Sequence, residues 1–215
     1  VKTVPLFKEY MCGIFSVIRL QKEWSHAAIT RLYQDFMNMK HRGPDHSSFQ
    51  VLPHLVVGFH RLAIVDPTMR SNQPFVYEDK DRTVIFLCNG EIYNYKDIIR
   101  SRNLSNTHSD CAVIPEAYLQ MIQKDPIRFT HALEAFFQRE VKGEFAFVLI
   151  ELDTFKNLSR VMVGRDGVGI RPLYINSQDP QTEGARQELY VTSELKGALQ
   201  SHMPFHEFPP GHLHV

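Results

Sequence analysis

Cys12 stands directly after Met11 in Met11-Cys12-Gly13-Ile14-Phe15, and that placement can make it a nucleophile unaided. If translation starts at Met11, the small side chain of Cys12 allows the methionine to be trimmed, and cysteine becomes residue one. The freed α-amine titrates at about 7.7–8.0 and a thiol near 8.5. An amine on the same framework can therefore take the thiol proton, with no separate histidine required. The competing reading is plain: any start codon can be followed by Cys-Gly.

The motifs that follow favour the chemical reading. Lys40-His41-Arg42-Gly43-Pro44-Asp45, then Phe59-His60-Arg61-Leu62-Ala63-Ile64-Val65-Asp66, then Asn89-Gly90-Glu91-Ile92-Tyr93-Asn94 come in order after Cys12. Ser109-Asp110-Cys111, Gly143-Glu144-Phe145-Ala146-Phe147, Gly164-Arg165-Asp166 and Ser193-Glu194-Leu195-Lys196 continue the series. Together they resemble the glutaminase domain of the class II, N-terminal-nucleophile glutamine amidotransferases, from Met11 to the end of the chain. Short motifs in register are far more specific than any one of them alone. His-Arg-Leu-x-Ile-Val-Asp, the later Asn72-Gln73-Pro74 and the closing Phe208-Pro209-Pro210-Gly211 resemble the asparagine synthetase branch of that class. No Ser-Gly-Gly-x-Asp-Ser phosphate loop occurs in the sequence, so the ATP-using synthetase half is expected to lie outside residues 12–215.

The resemblance implies a reaction and a role for each residue. Cys12 attacks the side-chain amide of glutamine, ammonia leaves, and water cleaves the γ-glutamyl thioester. The oxyanion formed on attack needs donors already in place, and Asn89 and Gly90 match the family's pair: a side-chain amide and a backbone N–H. Asn-Gly is also the strongest short signal for a tight hairpin turn, and a turn at a strand end would present both donors. Free glutamine is a zwitterion. Arg61 resembles the clamp on its α-carboxylate, where a guanidinium suits bidentate geometry. Asp110 matches the carboxylate that meets the α-ammonium, with a helix N-cap as its competing role. Glu91 joins the pocket beside the oxyanion pair, and Leu62, Ile64 and Val65 line its wall through backbone groups. No metal and no cofactor are expected in this domain. ATP and magnesium belong to the synthetase domain, the partner that would receive the ammonia.

These groups need a scaffold. Ile14 to Ile18 reads as a buried strand. Ser25 can cap a helix with Ile29, Leu32, Tyr33, Phe36 and Met37 on one face, broken at Gly43-Pro44. Residues 56–59 and 83–88 read as strands. Val113, Ile114, Ala117, Tyr118, Met121 and Ile122 form a second helical stripe, with Pro115 in its first turn. Residues 145–152, 160–164 and 188–192 are strands, the first apolar enough for burial on both faces. Residues 177–187 read as a polar hairpin loop. The family's fold is α+β: an αββα four-layer sandwich, two antiparallel sheets between helical layers. Arg42-Gly43-Pro44-Asp45 reads as a rigid turn by the pocket, Gly164-Arg165-Asp166 and Ser193 to Lys196 as buttresses or a partner-facing surface, and Cys88 as a core thiol.

Composition narrows the remaining choices. A chain of 215 residues with 24 basic and 24 acidic side chains offers no electrostatic argument for nucleic acid or an anionic membrane. No stretch reaches the ~18 apolar residues of a membrane span, and residues 1–10 lack the apolar run of a secretory signal. Cys12, Cys88 and Cys111 are the three cysteines, a sparse, odd set that reads as reduced thiols in the cytoplasm. His202, His206, His212 and His214 lie in a Pro-rich tail with no carboxylate pattern and read as solvated. Residues 1–11 read as a leader or an overlong start, and a homodimer stays open. An α-amine still held as an amide cannot act as base, so two function classes follow: a glutaminase, or a capped, non-catalytic interaction module. The glutaminase domain of another amidotransferase is the further alternative.

Overall fold

A computed structural model describes residues 11–20, 23–105, 109–176 and 188–215. The expected leader, apart from Met11, and the expected 177–187 hairpin lie outside the described residues. Strand β1 (Gly13–Arg19) pairs antiparallel with β3 (Leu55–Arg61) on one side and β9 (Glu188–Thr192) on the other. With β2 (His46–Leu52), β8 (Tyr174–Asn176) and β10 (Phe205–Glu207) they form a sheet in the order β10-β8-β9-β1-β3-β2. The second sheet runs β11-β7-β6-β5-β4, built from β4 (Phe75–Glu78), β5 (Arg82–Ile92), β6 (Gly143–Asp153), β7 (Leu158–Arg165) and β11 (Leu213–His214).

Side-chain alternation explains why these strands stack. Along a strand, successive residues face opposite sides. In β1 and β3, Ile14, Ile18, Leu55, Val57 and Phe59 face the second sheet, while Phe15, Val17 and Val56 face α1 (His26–Met37) through Leu32 and Phe36. In β5 and β6, Ile85, Leu87, Ala146, Val148 and Ile150 fill the layer between the sheets. Their neighbours Val84, Phe86, Phe145, Phe147 and Leu149 pack under α2 (Tyr95–Arg102), α3 (Val113–Lys124) and α4 (Phe129–Arg139). The result is the expected αββα sandwich. Its three apolar layers account for the near-continuous hydrophobic runs of β5 and β6.

Local expectations hold at several points. Ser25 Oγ accepts from Ala28 N–H at 3.2 Å and caps α1. Tyr33 departs from the expected buried stripe: it is exposed, though its ring meets Phe49 edge-on at 5.2 Å. Pro115 is the third residue of α3, where a missing N–H breaks no intrahelical bond. The tail histidines are exposed, as expected; His206 and His214 lie in β10 and β11. No described helix is long and apolar enough to cross a membrane.

Candidate active site

The pairing of β1 with β3 sets Gly13 opposite His60, which brings Cys12 alongside Arg61 and Leu62. The Leu62 N–H donates to Cys12 Sγ at 3.3 Å, and the Leu62 carbonyl lies 3.6 Å from the same sulfur. Arg42 reaches in from the other side: its Nε donates to the Cys12 carbonyl at 2.9 Å. Glu194 steadies that guanidinium at 3.4 Å and meets His41 Nε2 at 3.1 Å. Arg42 therefore does more than shape a turn, because it grips the backbone of Cys12. Glycine at 43 is what allows the close approach, since a Cβ there would sit 2.3 Å from the His60 carbonyl carbon. Burial pushes the Cys12 thiol up to about 11, opposed by the Leu62 N–H. With Met11 attached, the thiol is therefore protonated at neutral pH and a poor nucleophile.

The second sheet meets this cysteine with one strand edge. β4 pairs with β5 only as far as Phe86. Beyond it, the Gln73 side chain takes over as a substitute strand: Cys88 N–H donates to Gln73 Oε1 at 2.6 Å, and Gln73 Nε2 donates to the Cys88 carbonyl at 3.0 Å. Four residues on, Ile92 N–H donates to Asp110 Oδ2 at 2.7 Å. Backbone groups two residues apart point to the same edge of a strand. Gly90 lies between Cys88 and Ile92, so its N–H faces the cavity, and its carbonyl there accepts from the Cys111 thiol at 3.4 Å. Asn89 follows Ile85 and Leu87 in turning toward the layer between the sheets, where Cys12 also packs. Its Nδ2 is buried and has no hydrogen-bond partner among the described residues.

Asn89 and Gly90 thus do not form a hairpin turn. They are strand residues paired with Ala146 and Phe145, and the long β5–β6 ladder overrides the local turn signal. Asp110 is likewise not a helix cap. α3 has no side-chain cap bond, and the carboxylate is committed to Ile92 N–H instead. Burial raises the Asp110 pKa above the ordinary carboxylate range, with its backbone hydrogen bonds opposing that shift.

Arg61 is 6% exposed. Its Nη1 donates at 2.8 Å both to the Thr68 carbonyl and to Asn72 Oδ1, and its Nη2 donates to the Asp66 carbonyl. The guanidinium therefore folds residues 62–72 over itself while also lining the cavity. Asp66 fixes that loop by accepting from Thr68 N–H at 2.8 Å and Ser71 Oγ at 2.8 Å. These bonds hold its carboxyl below the ordinary range.

Cys12, Arg61, Leu62, Ile64, Val65, Asn89, Gly90, Glu91 and Asp110 all border one narrow cavity. The structure brings together every site residue expected from the sequence. It adds Met11, Gln73, Cys88 and Arg171 to the lining. Cys88 keeps its place in the core beneath the helices. Among the described residues, no group of three or more His, Cys, Asp or Glu side chains is placed to hold a metal ion.

A cysteine at the head of a strand, facing a donor-bearing strand edge across an αββα core, defines the N-terminal-nucleophile amidotransferase class. The glutamine amidotransferase domain family matches residues 11–209, and the chain belongs to that family. The chain is 34% identical over 206 residues to the glutamine-hydrolysing asparagine synthetase of Sandersonia aurantiaca, covering 95% of this chain and 34% of that protein. It is 35% identical over 206 residues to that of Brassica oleracea, covering 95% and 31%, and 36% over 207 residues to asparagine synthetase 2 of Arabidopsis thaliana, also 95% and 31%. The chain thus spans about a third of the length of these curated relatives. Among solved structures, the allosteric regulatory enzyme of purine biosynthesis superposes with a TM-score of 0.71 at 16% identity, over 94% of this chain and 46% of that one. The glutamine phosphoribosylpyrophosphate amidotransferase from B. subtilis, complexed with ADP and GMP, gives 0.70 at 16% identity, with coverage of 94% and 46%. These two likenesses establish the fold alone.

Proposed function

We propose that this domain hydrolyses the side-chain amide of glutamine to glutamate and ammonia through a thioester on Cys12. The observation that carries the proposal is the buried Asn89 Nδ2, without a partner among the described residues, beside the strand edge that points Gly90 N–H into the cavity of Cys12. A buried donor without an acceptor costs about 1–3 kcal/mol, and a substrate oxyanion would meet that need. The amine freed at Cys12 takes the thiol proton as sulfur attacks the carboxamide carbon. Asn89 Nδ2 and Gly90 N–H hold the developing oxyanion. As it collapses, the carbon–nitrogen bond breaks and the ammonium returns the proton to departing ammonia. Water, deprotonated by the same amine, then cleaves the thioester and releases glutamate. Arg61 meets the α-carboxylate, and Asp110 with Glu91 meets the α-ammonium.

The ammonia would supply an ATP-dependent synthetase segment that converts aspartate to asparagine. Support comes from the glutamine-hydrolysing asparagine synthetases, about three times as long as this chain, and from the Asn72-Gln73-Pro74 motif, whose Gln73 completes the β5 edge. ATP and magnesium belong to that segment. One observation favours the capped, non-catalytic reading for any form that keeps Met11: its thiol is pushed up to about 11. Glutamate release and Cys12 labelling by a glutamine-like chloroketone, measured on protein beginning at Cys12, test the proposal. Turnover abolished by Cys12→Ala is the expected result, and half-retained activity in that variant would remove Cys12 from the mechanism.

A further inference from the structure

Resting on the glutaminase reading, we propose that Arg171 is a positioning residue for glutamine recognition, holding Glu91 turned into the cavity against the repulsion of Glu144. Glu91 and Glu144 sit directly opposite each other across β5 and β6. Like charges in that relation repel at close range, and β5 offers Glu91 no cation of its own nearby. Arg171 supplies one. Its Nη2 contacts the Glu144 carboxylate and lies 3.8 Å from Glu91 Oε1. The same side chain lines the cavity of Cys12, and its buried Nε has no partner among the described residues.

The chain is built to deliver Arg171 there. Asp166 Oδ1 accepts from Val168 N–H at 2.9 Å and Gly169 N–H at 2.7 Å, winding residues 166–170 into a tight loop. Arg165, almost fully buried, ties that loop from beneath. Its Nε donates to the Arg171 carbonyl at 2.8 Å and its Nη2 to the Gly169 carbonyl at 2.6 Å. Its Nη1 donates to the Phe208 carbonyl at 2.7 Å. Gly169 has φ +75°, a conformation that costs glycine little. The Gly-Arg-Asp motif is thus a rigid bracket whose end product is a guanidinium placed between two facing carboxylates. Without that guanidinium, Glu91 would be driven out of the cavity by Glu144.

The test uses protein beginning at Cys12, with KM and kcat measured separately. Arg171→Met keeps the aliphatic stem and removes the charge. It should raise KM for glutamine about tenfold, the loss of one charged contact, with kcat within about twofold of wild type. Arg171→Lys should stay within about threefold of the wild-type KM, because it keeps a positive charge beside the two carboxylates. Adding Glu144→Gln to Arg171→Met removes the repulsion and should recover most of the lost KM. A loop-folding role alone would give no such recovery. An unchanged KM in Arg171→Met, or a defect that Glu144→Gln does not relieve, overturns the proposal. If Arg171→Met does not fold, Glu144→Gln alone decides: it should bind glutamine at least as tightly as wild type, and weaker binding overturns the proposal. Calorimetric titration of glutamine into the Cys12→Ser series reads the same contrast without turnover. A failure of glutamate release with intact binding therefore counts against the glutaminase reading and not against Arg171.

Discussion

Replacing Asn89 with leucine should weaken catalysis and strengthen the fold at the same time. Asn89 is 1% exposed, and its Nδ2 has no acceptor among the described residues. An unsatisfied buried donor costs about 1–3 kcal/mol. Leucine keeps the branched shape, carries no donor and turns into the same layer as Ile85 and Leu87. It also borders the open cavity, so its added volume has room to settle. Unfolding in urea should therefore show Asn89→Leu more stable than wild type by about 1 kcal/mol, the low end of that range after imperfect packing is set against it. Removing one of the two proposed oxyanion donors should lower kcat by about 10²–10³, or roughly 2.7–4 kcal/mol of transition-state stabilisation. KM should change little, since the donor is needed where charge develops and not in the ground state. The assay is glutamate release by protein beginning at Cys12, paired with urea titration of the same preparation. A kcat within tenfold of wild type would refute the oxyanion role. A variant less stable than wild type by more than about 1 kcal/mol would refute the unsatisfied donor itself.

Four further outcomes follow from the same geometry. Protein retaining Met11 should hydrolyse glutamine at a small fraction of the rate of protein beginning at Cys12, because its thiol is held near 11; equal rates, with mass spectrometry confirming Met11, would sink the terminal-amine mechanism. Arg61→Ala should weaken glutamine binding by about 1.5–3 kcal/mol and also loosen residues 66–72, which the guanidinium holds; limited proteolysis of that loop checks the second effect. Asp110 has a folded pKa above its unfolded value, so ionising it at neutral pH works against folding, and that penalty is relieved as pH falls through the folded pKa. Asp110→Asn should accordingly gain stability over wild type at pH 7 and lose the advantage in acid, while binding glutamine more weakly at neutral pH; a gain independent of pH would refute the assignment. Gly90→Ala should fail to fold or fold with distorted β5–β6 pairing, since a Cβ would lie 2.3 Å from the Glu144 carbonyl oxygen, and amide exchange along β6 would report it.

The sequence was most legible where spacing carried chemistry. The nine expected site residues lie on different segments, yet all border one cavity, because the motif order encodes the pairing of β1 with β3 and the edge of β5. It was least legible where tertiary pairing overrules local preference. Asn89-Gly90 carries a strong turn signal, but β6 extends the ladder through it from Arg82 to Ile92. Asp110 has the spacing of a cap, but the unpaired Ile92 N–H claims it. Arg42 read only as part of a turn and Arg171 not at all, because their partners, the Cys12 carbonyl and the Glu91–Glu144 pair, are distant in sequence. α2 buries only Ile98 and so shows no apolar stripe. β8, β10 and β11 are two or three residues long, too short for alternation to register.

The edge of β5 joins fold to chemistry. A buried strand edge must have its backbone groups paired, and this one is paired piecemeal: by β4 as far as Phe86, by the Gln73 amide at Cys88, and by Asp110 at Ile92. The gap falls at Gly90. Its neighbour Asn89 adds a second donor without an acceptor among the described residues. Had β4 run a few residues further, both sheets would pack as well and the edge would be fully paired, but Gly90 N–H would no longer face the cavity unpaired. Shortening β4 and substituting two side chains for its missing backbone leaves one opening, at the level of Cys12 across the core. The same reasoning explains why Gly90 cannot carry a side chain. The strand must press against β6 closely enough to fix that opening, and the 2.3 Å approach to the Glu144 carbonyl oxygen leaves no space for a Cβ.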